Sequence, residues 1–475
     1  MSAGAGSDGH FWPSPRRQLR RPSRTSAALA GPVIARYAVG SIGTGGFGTL
    51  PGLVLVYFLT DSLGIAALAA GIVVTLAKVW DVIIDPVIGT ASDRSLARRG
   101  SRRPLMIVGS IALPVFFALT FAVPQGLGDV PSGAWVLIAF VLTATAFSLF
   151  QVPYIALPAE LTHDYDARTR LLSVRVMVLT FAILLFGAGG PILRSQFGYL
   201  GMAIIAGLVI GLGMLISSFV AAKGPSAEVP RVSLAESYRA GQPYRKGLAA
   251  LKRSQPFRAL LLTFLLQGLA TGAMLAGAQY VATWVLQSED AVTFLFIALI
   301  APALLFAPIW GAIAARIGKE RAFVIASVVF GVGALALTLL AVAPGPWVYA
   351  PVAVVGAAYA GMQSLPMAML PDVISHDAKR TGDGQAGIFG GVWTAGETTG
   401  MALGATLLTI VLTITGYQSI PQGEAVAPLI GQTPLAVLGI VLAFSVVPAA
   451  IIAASLIPFA RYRLRKHDID EDAAA

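Results

Sequence analysis

Two carboxylates, Asp81 and Asp85, stand inside an apolar stretch long enough to cross a lipid bilayer. The run is Lys78-Val-Trp80-Asp81-Val-Ile-Ile-Asp85-Pro86-Val-Ile-Gly89-Thr-Ala-Ser-Asp93-Arg94. Insertion scales price an Asp at mid-membrane at roughly +2.5 to +3.5 kcal/mol, so acids at that depth usually line a cavity or an ion path. Four residues apart on a helix, the two share a face, with Cβ atoms about 5–6 Å apart. A chain that keeps such a pair must fold around it, as a helical bundle that hides the acids from lipid. Two converging carboxylates in a bilayer suit a proton or a small cation. That is the chemistry of a transporter.

Composition points the same way. Of 475 residues, 56% are hydrophobic and 12% charged, against about 25% charged in a soluble domain. The mean hydropathy is +0.78. The chain has no Cys, which excludes disulfides and thiolate metal sites. No His-Glu-x-x-His, Walker loop, nucleophile elbow or dinucleotide fingerprint stands in a credible context. Enzymatic chemistry and ATP hydrolysis are therefore not expected, nor any cofactor beyond a coupling ion, H+ or Na+.

A span needs about 20 mostly apolar residues. Twelve stretches qualify: 33–59, 65–91, 104–124, 134–158, 171–191, 200–222, 257–283, 291–315, 322–343, 348–371, 386–413 and 434–458. The expected organisation is a disordered tail (1–32), a first six-helix bundle (33–222), a polar linker (223–256), a second bundle (257–458) and a tail (459–475). The Arg-, Pro- and Ser-rich first thirty residues lack the apolar core and cleavage site of a secretory signal.

Charge sets the expected orientation. The even-numbered loops hold Arg94, Arg98, Arg99, Arg102 and Arg103, then Arg168 and Arg170, eight Lys or Arg between Lys223 and Arg258, and further cations at Arg316, Lys319, Arg321, Lys379 and Arg380. The odd-numbered loops hold only Arg194. By the positive-inside rule both termini are cytoplasmic, in a bacterial-type inner (plasma) membrane. The net charge of +10 then orients helices and implies no nucleic-acid partner.

The halves echo each other. Pro86-x2-Gly89-x3-Asp93-Arg94 closes span 2 and Pro308-x2-Gly311-x3-Ala315-Arg316 closes span 8. Leu157-Pro158-x4-His163-Asp164 closes span 4 and Leu370-Pro371-x4-His376-Asp377 closes span 10. Pairing span n with span n+6 is the parallel repeat of a two-bundle transporter.

These motifs carry a resemblance. Trp80-Asp81-x3-Asp85-Pro86-x2-Gly89 with Arg99-Gly100-x-Arg102-Arg103-Pro104 is similar to the second-span signature of the glycoside–pentoside–hexuronide:cation symporters, within the major facilitator superfamily. Val152-Pro153-Tyr154-x-Ala156-Leu157-x2-Glu160-Leu161, Arg168-Thr169-Arg170-Leu171 and Arg175 resemble its fourth-to-fifth-span signature. Gly387-x2-Gly390-Gly391-Val392-Trp393, then Gly404 and Gly416-Tyr417, resemble its eleventh span. The resemblance implies an all-α membrane protein of twelve helices in two pseudo-twofold-related bundles. It implies a cation-coupled symporter, functional as a monomer, that moves a small solute by alternating access. A sugar, glycoside or uronide is the first expectation. A less polar, lipid-like solute is the alternative, since the resemblance extends to animal lysophospholipid symporters. A non-transporting receptor, in which the acids only brace helices, is the remaining one.

Asp81 and Asp85 match the family's cation-site carboxylates. Oxygen ligands suit hard cations, and closely spaced acids compete for ionisation, which suits proton exchange. Alternatively Lys78, three residues before Asp81, pairs with it to hold the bundle. The family's sodium–melibiose pattern adds an acid on each of the first and fourth spans. Here those places hold Gly43-Thr44-Gly45-Gly46-Phe47 and Gln151, which favours a proton or a sodium site completed by neutral oxygens. In span 11, Glu397 stands where that pattern has Lys. It either titrates, binds substrate, or pairs with Lys78 or Arg175. Arg175 either holds a substrate oxygen bidentately or locks span 5 to Asp81. Lys78 and Gln151 join the substrate-site candidates, and Tyr154 and Trp393 are candidates for stacking on a sugar ring. Asp93, Arg94, Arg102 and Arg103 are expected to gate the cytoplasmic side by pairing across the bundles when the opposite side is open. His163-Asp164 and His376-Asp377 read as repeat-derived loop packing rather than a metal site, which needs three or more converging ligands.

Overall fold

The structure, a computed structural model, describes residues 29–162, 165–220, 249, 251–288, 290–381, 386–419 and 431–464. Most of both expected tails and of the expected linker lies outside them, as do His163 and Asp164.

Among the described residues, eleven helices are long and apolar enough to cross a membrane. Ten of these are single spans: Gly31–Ser62, Ala67–Arg99, Arg103–Phe121, Asp129–Pro158, Gln255–Val285, Ala291–Ile317, Lys319–Ala341, Pro346–Asp377, Phe389–Ile414 and Pro434–Phe459. The eleventh, Arg170–Ser218, is too long for one crossing. It turns at Gly198, whose φ of 68° and ψ of −179° break the helix. That conformation is nearly restricted to glycine, and it divides the segment into spans 5 and 6. Twelve spans result.

Span 2 runs eight residues past its expected end, so Asp93, Arg94, Arg98 and Arg99 are helical. It stops at Gly100, in the left-handed conformation (φ 66°, ψ 14°), whose N–H bonds to the Leu96 carbonyl. This is the usual glycine stop.

The packing repeats with an offset of six. In the first half, span 3 packs on span 4, span 2 on span 4, and spans 1 and 3 on the span 5–6 unit; in the second, span 9 packs on span 10, span 8 on span 10, span 7 on spans 11 and 12, and span 9 on span 12. Between halves, span 2 meets span 11 and span 8 meets the span 5–6 unit, while span 1 meets span 7. These pairings exchange under the same offset, so the halves are two six-helix bundles related by a pseudo-twofold axis.

Small residues permit the closest approach. Gly268-x3-Gly272 on span 7 faces Gly400-x3-Gly404 on span 11. A Cβ at Gly404 would sit 2.5 Å from the Leu269 carbonyl oxygen and from the Ala273 nitrogen. In lipid, where apolar burial gives helices no drive to associate, such backbone contact is a main source of packing energy.

Candidate functional site

Span 2 packs on span 11 in its first half and carries the acid pair further along, beside span 4. Thr75 hydrogen-bonds Thr406 of span 11, and a Cβ at Gly71 would strike Thr409. One to three turns further toward the basic loops come Lys78, Asp81 and Asp85. Lys78 Nζ donates to Asp81 Oδ2 at 3.1 Å. The other oxygen, Oδ1, is buried and has no hydrogen-bond partner. A buried, unsatisfied carboxylate oxygen is costly, and is relieved by a proton or a cation. Asp85 is exposed and lies in the neighbourhood of Ser148, Asp81 and Lys78. The bracing pair and the open oxygen therefore coexist on one side chain.

Neutral oxygens stand where the sodium–melibiose pattern has acids. Thr44 Oγ1 of span 1 donates to Gln151 Oε1 of span 4 at 2.7 Å. Among the described residues no three Asp, Glu or His converge, so an alkali ion held here would draw on oxygens of this kind. Trp80 Nε1 donates to Thr145 Oγ1 at 2.9 Å, which fixes span 2 to span 4 beside the acids.

Three expectations need correction. Tyr154 is fully buried; its hydroxyl donates to the Tyr37 carbonyl and shares a hydrogen bond with Ser41, both at 2.9 Å, and its ring stacks on Tyr37 and Phe150. Trp393 is likewise buried, stacked on Phe264 with ring centres 4.3 Å apart. Neither ring has a face left for a sugar, because each fills its own bundle's core. Arg175 does not lock to Asp81. Its guanidinium lies 5.2 Å from the centre of the Tyr154 ring, and its Nε is buried without a partner. Glu397 is half-buried on span 11, close to Tyr359 of span 10, and forms no ion pair with Lys78 or Arg175.

The gate candidates divide. Arg102 binds Asp93 at 2.7 Å, Glu160 at 2.5 Å and Ser92 Oγ at 2.7 Å. Burial opposes its charge, but the hydrogen bonds and charges of Glu160 and Asp93 prevail and raise its pKa above the ordinary value. Arg103 lies apart from this cluster, with its guanidinium 4.0 Å over the Phe219 ring of the same half. In the second half Lys319 pairs with Asp372 at 2.5 Å. Each half thus ties a cation at the start of its third helix to an acid at the end of its fourth. Arg253 grips Asp377 through both carboxylate oxygens, so that acid of the repeated His-Asp pair serves packing.

A second polar cluster escaped the sequence reading. At the end of span 1 the helix widens into a π turn, Phe58–Ser62. Asp61 there accepts from Thr60 Oγ1 and from the Tyr417 hydroxyl, both at 2.5 Å. Thr60 also shares a hydrogen bond with Tyr280 of span 7 at 2.6 Å. Ser419 Oγ donates to the Ile65 carbonyl at 2.8 Å, and Thr293 Oγ1 to the Ala188 carbonyl at 3.2 Å. Apart from the Thr60–Asp61 bond within span 1, these bonds cross between halves on the face away from the basic loops. Arg194, the lone cation of the odd-numbered loops, lies 5.8 Å from the centre of the Tyr57 ring and donates to Tyr199.

Residues 36–466 match the family described as MFS/sugar transport protein. The glucuronide carrier protein homolog of Escherichia coli (strain K12) is 25% identical over 87% of this chain and 88% of its own. The uncharacterized symporter sll1374 of Synechocystis sp. is 39% identical over a shorter stretch, 32% of this chain and 30% of that one. A bacterial homolog of the human lysosomal transporter Spinster, solved inward-facing and unoccupied, superposes with a TM-score of 0.63 at 13% identity, over 91% of this chain and 95% of that one. That last likeness concerns the fold alone.

Proposed function

Because the chain belongs to the MFS/sugar transport protein family, we propose that it is a cation-coupled symporter of a sugar, glycoside or uronide. The observation that carries this reading is Asp81, with one oxygen on Lys78 and the other buried and without a partner, one helical turn from Asp85 on a span that packs against span 11 of the other bundle. The near full-length likeness to a glucuronide carrier homolog supports the substrate class.

In this reading the basic loops and both termini face the cytoplasm of a bacterial-type inner membrane, and the chain works as a monomer. The bonds around Asp61 hold the outer side closed. A cation on Asp81 and Asp85 favours the substrate-binding state, and substrate favours cation binding by the same factor. Arg175, Gln151, Lys78 and Glu397 supply the polar contacts to substrate. With Thr44 and Gln151 in place of acids, protons drive transport at least as well as sodium.

Uptake into proteoliposomes, with a glycoside and uronide panel and separately imposed sodium and pH gradients, tests the proposal. Accumulation under an inward pH gradient without sodium is the expected result. Uptake that needs sodium and ignores the pH gradient overturns proton coupling. No accumulation of any panel member under either gradient overturns the sugar symporter.

A further inference from the structure

At the basic face, where span 9 packs beside span 12, the second bundle has an open cavity of about 720 Å³. Arg316, Glu320 and Arg321 line it, with Ile317, Ile325, Phe459 and Tyr462 as its larger apolar and aromatic walls. It lies away from the seam between bundles and from the acid pair of span 2.

Three observations bear on what fits there. First, Arg316 and Arg321 are both exposed, and among the described residues neither has an ion-pair partner. The neighbouring Lys319 is already taken by Asp372. Two guanidiniums against the single carboxylate of Glu320 leave the cavity with excess positive charge. Second, Arg321 heads an exposed apolar stripe, Ile325, Val328, Val332, Leu335 and Leu339, at the three-to-four-residue spacing of one helix face. On a peripheral span this face meets acyl chains, which places Arg321 at the headgroup boundary. Third, Tyr462 offers a hydroxyl. Its burial, with the charges of Glu320 and Asp372, raises the phenol's pKa, so it remains a donor.

We propose that this cavity is a binding site for an anionic phospholipid, with the phosphate held by Arg316 and Arg321 and an acyl chain along the stripe of span 9. Arginine's planar fork matches a phosphodiester in two-point contact, and basic pockets between spans on the cytoplasmic side recognise acidic headgroups. Charge complementarity selects the lipid class. A phosphodiester with a neutral headgroup balances the surplus guanidinium, whereas a free phosphate would leave the apolar stripe unused.

The full-length protein, purified in mild detergent and titrated with phosphatidylglycerol, is examined by native mass spectrometry. The double variant Arg316→Ala/Arg321→Ala is expected to retain the lipid roughly 30-fold less well, about fivefold for each arginine, with thermal stability unchanged because both side chains are exposed. Arg98→Ala/Arg99→Ala removes the same charge from the first half's basic face and is expected to leave retention as in the wild type. Glu320→Gln is expected to tighten binding by removing a repulsion. Equal loss in both double variants would mean diffuse charge attraction and overturn the site. Weaker binding in Glu320→Gln would point to an amine headgroup and overturn the lipid class. Displacement of phosphatidylglycerol by millimolar inorganic phosphate would mark a free-anion site and likewise defeat the proposal.

Discussion

The Tyr417 hydroxyl donates to the Asp61 carboxylate at 2.5 Å, joining the end of span 11 to the end of span 1 across the two bundles. The bond ties the two bundles together on that face, so its loss is expected to favour opening there. A hydrogen bond to a charged group contributes about 1.5–3 kcal/mol, roughly a tenfold to hundredfold change in the ratio of the two forms. Tyr417→Phe is therefore expected to raise labelling of Leu275→Cys by an impermeant maleimide added at this face. Position 275 lies behind the closure, where span 7 approaches Gly52, and the chain has no native Cys to confuse the readout. Unchanged labelling would show that the bond does not hold the face shut.

Asp81→Asn and Asp85→Asn are each expected to abolish gradient-driven accumulation. An amide exchanges no proton and is a poor cation ligand. Substrate exchange, measured as counterflow with no ion gradient, is expected to survive, because the polar contacts on Arg175 and Gln151 remain. Full accumulation in both variants would leave Asp81 only its bracing bond to Lys78.

Asp93 is the one partner of Arg102 that is well exposed, at 65% of its side chain against 20% for Glu160. Its bond is consequently weak, and exchange for a partner in the other half costs little. Asp93→Ala is expected to shift the population toward the form open at the basic face, read by paired Cys probes on the two faces. Equal labelling before and after the substitution removes Asp93 from the gate. Arg102→Met has a different signature. It strands Glu160, costs about 1–3 kcal/mol, and lowers the melting temperature in detergent.

Gly404→Ala is expected to destabilise the second bundle, since the added methyl meets span 7 backbone at 2.5 Å. Gly390→Ala on the same helix meets nothing within 4 Å and gains helix propensity, so it is expected to be neutral or stabilising. A similar melting temperature for both would contradict the close crossing of spans 7 and 11.

Glu397→Gln is expected to alter the pH profile of uptake if Glu397 shares the cavity with the acid pair. An unchanged profile assigns the residue to packing against Tyr359 instead.

Spans, repeat and acid pair were legible because lipid makes each of them conspicuous. Apolar length marks a crossing, and a carboxylate within one is too costly to be incidental. Aromatics carry no such signal. Tyr154 and Trp393 have the composition of a sugar platform, yet a ring in a span has several faces to fill, and theirs are turned onto Tyr37, Phe150 and Phe264. Asp61 was missed for the opposite reason. At the end of a span an acid reads as loop, and only the folded arrangement brings it to Tyr417, 356 positions away. The signals available were its place at the close of span 1 and the solitary Arg194 on the same face.

Gly198 leaves spans 5 and 6 with one residue between them, as Gly318 does for spans 8 and 9, where most other neighbouring spans have a longer loop. A corner of that kind has no slack to offer a protease, an inserted epitope or a circularly permuted terminus. With so short a connection, a displacement of span 5, which carries Arg175, is expected to carry span 6 with it.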